Sequence, residues 1–109
     1  MGFNGKTRAV TPDAAQLIRS TGFSMAPTIA DRALIMVDRF SRDVVDGEIY
    51  VVSLGDEVRI KRVHKAISGK ITLESDNDDK RLFPDEELSP ADSMQLRVRG
   101  RAFWTEKEL

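Results

Sequence analysis

The apolar positions of this chain fall into short runs set off by turn-forming residues, a spacing that predicts strands. Ala33-Leu34-Ile35-Met36-Val37 is a continuous apolar run of strand length that closes at Asp38. Glu48 to Leu54, rich in β-branched and aromatic residues, predicts a second, buried strand. Glu57 to Ala66 follows across the short Gly55-Asp56 turn, so these two segments predict an antiparallel hairpin. Ile71 to Ser75 alternates as a short strand. Met94 to Trp104 predicts the last one, with Leu96, Val98, Ala102 and Trp104 on one face and Arg97, Arg99, Arg101 and Phe103 on the other. Near the start, Thr11 to Gln16 carries a helix-start signal, but the chain from Leu17 reads better as a strand leading into Gly22.

Parity within the second hairpin strand is informative. Val58 and Ile60 share one face, whereas Val63 falls on the other with Arg59 and Lys61. Either the strand is buried on both sides near residue 60 or a bulge re-aims it there, and both routes bring Lys61 against apolar neighbours. The plainer alternative is a solvated cation in the run Arg59, Lys61, Arg62, Lys65. The arginine row of the last strand reads as edge protection or a protein interface, and of the two the interface is expected. Five or six short strands punctuated by turns predict a mainly β, compact domain, barrel-like or sandwiched, with its antiparallel sheets partly open.

Totals narrow the function. At 109 residues the chain has room for one core, and residues 1–9 read as a leader before a domain spanning 10–109. Seventeen Lys+Arg against eighteen Asp+Glu leave a net charge of −1, which argues against nucleic acid as a direct partner of this domain. With no cysteine and one histidine, neither a metal site nor a cofactor is expected. The aspartates of Asp76-Asn77-Asp78-Asp79 lack the glycine and distal glutamate of a calcium loop and read as a polar turn. No apolar run approaches the ~20 residues of a membrane span, and the start lacks a signal-peptide core. The expected location is the cytoplasm, with no membrane partner.

The chemistry concentrates at Ser24. Gly22 permits a tight path just before it, and Pro27 restricts the backbone just after, so the hydroxyl sits at a rigid bend leading into the Ala33 strand. A lone serine in such a place is ordinarily a turn residue. Lys61, in the middle of an apolar strand, changes the picture because a serine nucleophile needs a base and the chain offers few others. An ordinary lysine, with a pKa of ~10.4, is protonated at neutral pH, so it can serve only if burial disfavours its charge. Phe23, Met25, Ile60 and Val63 are the candidates for that dry wall, with Phe23, Ile60 and Val63 expected to line the substrate pocket. Backbone N–H groups around Ser24 and Met25 are the candidate oxyanion donors.

Four passages in order, Gly22-Phe23-Ser24-Met25-Ala26-Pro27-Thr28-Ile29, Asp46 to Val52, Val58-Arg59-Ile60-Lys61-Arg62-Val63, and Leu73-Glu74-Ser75-Asp76-Asn77 with Val98 to Ala102, make the chain resemble the LexA-like serine peptidases. These are the C-terminal domains of LexA, UmuD and CI-type phage repressors. The resemblance implies a compact, mostly β domain in which Ser24 is the nucleophile and Lys61 the general base. It also implies a homodimer formed through the C-terminal strand region, and self-cleavage in a linker to a helix-turn-helix domain, stimulated by a RecA filament after DNA damage. These 109 residues hold no Ala-Gly and no cysteine, so the expected scissile bond lies outside them. Two departures from the family stand out: Asp31 is followed by Arg32 where Asp-Gly is common, and Phe23 occupies a position often small or acidic. A non-cleaving dimerisation module and a signal-peptidase-like serine protease are the alternatives.

Overall fold

A computed structural model describes residues 10–106, so the leader expected at 1–9 lies outside the described residues. Its elements are β1 (Ala15–Arg19), β2 (Leu34–Asp38), β3 (Ile49–Leu54), β4 (Glu57–Lys65), β5 (Ile71–Glu74), β6 (Glu86–Glu87), the short helix α1 (Pro90–Gln95) and β7 (Arg97–Thr105). The strands form one antiparallel sheet in the order β1-β2-β7-β3-β4-β5-β6, which does not close on itself. The mainly β, partly open architecture agrees with the sequence pattern.

Both faces of this sheet carry apolar side chains, and connecting segments cover each. On one face, Ile35, Val37, Ile49, Val51 and Ala102 pack with Met25, Ile29 and Ala33 of the connection before β2. On the other, Tyr50, Val52, Val63 and Leu73 pack with Leu88, Val44 and Leu96 from later connections. The central strand β3 is therefore buried from Ile49 to Ser53 without polar alternation, as a strand covered on both sides must be. The hairpin register runs unbroken from Ile49↔Arg62 to Leu54↔Glu57, so β4 contains no bulge there. Its apolar residues change face because both faces are covered: Ile60 packs on the first core and Val63 in the second.

The last strand departs from the sequence reading in three ways. Ser89 and Pro90 begin a helix, Ser89 Oγ accepting from the Asp92 amide at 3.1 Å, so Met94 and Gln95 belong to α1 and β7 starts at Arg97. Second, β7 is an interior strand between β2 and β3, which removes the edge-protection reading of its arginines. Third, the ladder with β3 skips from Val51↔Gly100 to Val52↔Val98, leaving Arg99 as an extra residue. That bulge reverses the parity of strict alternation. Val98 and Ala102, expected on one face, join opposite cores, and Arg101 turns inward to 1% exposure beside Tyr50, its Nε 3.9 Å from Glu48 Oε2. The arginine row is thus broken, leaving Arg97 and Arg99 outside.

Candidate active site

The corner between β1 and β2 is built from two apolar anchors and a set of polar ties. Met25 and Ile29 plunge into the first core at 2% and 1% exposure, and the Ile29 amide closes a turn onto the Met25 carbonyl at 2.9 Å. Gly22, with φ of 92°, takes a left-handed path closed to most side chains and donates its amide to Asp31 Oδ1 at 2.7 Å. The Ala26–Pro27 peptide is cis. Asn77 clasps the tip of the corner, its amide donating to the Ser24 carbonyl at 3.0 Å and its Nδ2 to the Phe23 carbonyl at 2.9 Å. Ser24 is held half-buried at that tip.

β1 and the first half of β4 are separated by three strands in the sheet order, yet the sheet curls enough for both to line one cleft of about 360 Å³. Its wall includes Ser24 and Met25 from the corner and Glu57 to Lys61 from β4. Among the described residues, Glu57–Lys61 pairs only with β3, because the β5 ladder begins at Arg62↔Glu74. That stretch of β4 keeps one backbone edge open beside the serine.

Lys61 Nζ donates to Ser75 Oγ at 2.7 Å, and Ser75 is 1% exposed. Burial, reinforced by the nearby Arg59 charge, holds the Lys61 amine below the ordinary lysine range, while Glu86 pulls weakly the other way. Arg59 is itself engaged by Glu57 at 2.5 Å and Glu86 at 2.6 Å. Among the described residues, neither the Ser24 nor the Met25 amide has a backbone hydrogen-bond acceptor.

Residues 3–103 match the family described as Peptidase S24-like. The chain belongs to that family. Among S24-like relatives, it is 39% identical over 101 residues to the HTH-type transcriptional regulator PrtR of Pseudomonas aeruginosa, covering 91% of this chain and 39% of that protein. It is 39% identical over 85 residues to the repressor protein CI of Enterobacteria phage phi80, covering 78% of this chain and 34% of the repressor. An uncharacterized HTH-type transcriptional regulator of Haemophilus influenzae is 30% identical over 92 residues, 84% of this chain and 37% of the relative. The chain thus spans between a third and two fifths of the length of these relatives. It is an S24-like, LexA-like domain of the repressor type.

Of the S24-like residues singled out in the sequence, Ser24, Met25, Ile60 and Lys61 meet at the cleft. Two lie elsewhere. Val63 is fully buried in the second core with Tyr50 and Leu73, because it sits past the point where β5 covers β4. Phe23 is 59% exposed and lines no part of the cleft, since Gly22 turns the backbone so that the next side chain points outward. The sequence reading also missed Ser75 and Asn77, which it placed at the end of a strand and in a polar turn. The signal was register: with Arg62 opposite Glu74, the next cross-strand pair is Lys61 and Ser75, a relation visible only once β4 and β5 are aligned.

Proposed function

We propose that this domain is the self-cleaving, dimerising C-terminal part of a phage- or prophage-type transcriptional repressor, with Ser24 as nucleophile and Lys61 as general base. The observation that carries the reading is that Ser24 and Lys61 line one cleft while burial pushes the lysine amine toward its neutral form. An extended peptide laid along the open Glu57–Lys61 edge gains backbone hydrogen bonds and brings a carbonyl to the serine. The neutral Lys61 amine takes the Ser24 proton as Oγ attacks that carbonyl. Ser75, accepting from the amine, orients its lone pair. The oxyanion of the tetrahedral intermediate sits against the Ser24 and Met25 amides. Collapse breaks the C–N bond, and the lysine ammonium gives its proton to the departing amine. Water, deprotonated by the same amine, then releases the acyl group from Ser24.

Cleavage in the parent protein separates DNA binding from dimerisation and so weakens engagement of paired half-sites. A DNA-damage signal delivered by a RecA filament in the cytoplasm, and a homodimer, complete the reading. Its support is the repressor character of the relatives. The test uses full-length protein held at rising pH. Expected are first-order cleavage that accelerates as lysine loses its proton and its abolition in both Ser24→Ala and Lys61→Ala. Wild-type rates in Lys61→Ala overturn the mechanism. A protein intact at every pH leaves a non-cleaving dimerisation module.

A further inference from the structure

Ser75 and Asn77 touch the two halves of the site, and the residue between them joins those halves directly. Asp76 Oδ1 accepts from Arg62 Nε at 2.9 Å and its Oδ2 from Arg62 Nη2 at 2.7 Å, a bidentate pairing with the residue next to Lys61. The same Oδ2 accepts from Thr28 Oγ1 at 2.6 Å, four residues beyond Ser24 on the corner. Arg62 in turn donates through Nη1 to the Gly47 carbonyl at 2.6 Å, which fixes the guanidinium against the start of β3. The carboxylate side chain is only 11% exposed and that of Arg62 24%.

Burial alone would push the Asp76 carboxyl up. The hydrogen bonds from Arg62 and Thr28, with the Arg62 charge, more than offset it and keep the group below the usual carboxylate range. It is therefore an ionised, acceptor-only hub able to hold both donors at once. Outside this hub, Met25 and Ile29 anchor the corner to the first core, whereas Lys61 pairs with Tyr50 of the second. Ile60, next to Lys61, also packs on the first core, so apolar contact brings the lysine strand to the corner, and the Asp76 bridge adds a polar tie between the two.

We infer that Asp76 is a positioning residue: by bridging Thr28 on the serine corner and Arg62 on the lysine strand, it sets the approach of Ser24 to Lys61. The inference rests on the self-cleavage reading for its catalytic consequence. Asp76 touches neither reacting atom, and it is not among the charges that shift Lys61. Thr28 carries no charge, so loss of its bond to Asp76 changes rate without changing the pH at which the base titrates.

The experiment measures self-cleavage of the full-length protein from about pH 6 to about pH 10. Thr28→Val deletes one hydroxyl, and a corner displaced by a fraction of an ångström slows cleavage about tenfold or more at every pH. Thr28→Ser restores the rate, and the midpoint of the pH profile stays in place in both. Asp76→Ala slows cleavage at least as much, and adding Thr28→Val to it costs nothing further, because the Thr28 hydroxyl has then already lost its acceptor. Wild-type rates in Thr28→Val, multiplying losses in the double variant, or a moved midpoint overturn the inference. If wild-type protein never cleaves, the self-cleavage reading fails separately. The bridge is then judged by amide exchange at Ile29: about tenfold faster exchange in Thr28→Val upholds it and unchanged exchange overturns it.

Discussion

Arg32 offers a sharp test of how the serine corner is built. The chain turns from Ala30 to Ala33, closed by the Ala33 amide on the Ala30 carbonyl at 3.2 Å, and Arg32 stands third in that turn with φ of 66°. Turns with a left-handed third residue favour glycine or asparagine there. Holding a residue with a Cβ in that region costs roughly 1–2 kcal/mol. Replacing it with glycine also loosens the unfolded chain, which offsets about 0.4–1 kcal/mol. The Arg32 side chain is exposed, and its carbonyl, which accepts from Arg19 Nη1 at 2.6 Å, survives any substitution. Arg32→Gly should therefore stabilise the domain by about 0.5–1 kcal/mol, a rise in Tm of about 2–8 °C for a chain of this size. Urea and thermal unfolding followed by circular dichroism measure it. Arg32→Ala keeps the Cβ and should stay within about 0.5 kcal/mol of wild type. An equal gain in both variants, or a loss in Arg32→Gly, refutes the strain argument.

Other expectations follow from neighbouring contacts. A Cβ on Gly100 would lie 2.5 Å from the Asp38 carbonyl oxygen and 2.7 Å from Val37 Cγ1, so Gly100→Ala should destabilise by about 1–3 kcal/mol in urea titration, as β7 is forced away from β2. Lys61 has a folded pKa below its unfolded value near 10.5, so in the window between them the unfolded chain binds more protons and stability rises with pH. In Lys61→Met that rise should flatten relative to wild type, and an identical slope in both proteins contradicts the assigned shift. Arg59→Gln removes a cation that disfavours the Lys61 charge and frees Glu57 and Glu86, which favour it. The cleavage profile of the full-length protein should move to higher pH, and a move to lower pH excludes the electrostatic account.

The positions of most strands, the β3–β4 hairpin and the rigid corner at Ser24 were legible in the residues alone, because each rests on local signals. β-Branched runs favour extended chain, Gly-Asp and Asp-Gly turn it, and Gly22 with Pro27 restrict the corner before any partner arrives. The parity of Ile60 and Val63 left two-sided burial of β4 and a bulge as alternatives, and the unbroken register with β3 decided for the first. What tertiary structure decided was everything that depends on register between distant segments. An extra residue at Arg99 inverted β7 over the stretch that follows and drew Arg101 inside, and the ladder with β2 shifts again between Ala102 and Trp104. The curl of the sheet brought β1 and β4 to one cleft, and the point at which β5 joins β4 buried Val63 while leaving Lys61 beside the serine corner. Side-chain alternation along one strand repeats every two residues and carries no record of which residue lies across the ladder. Lys61, its Ser75 acceptor and the Asp76 bridge therefore acquire their relation only when the strands pair.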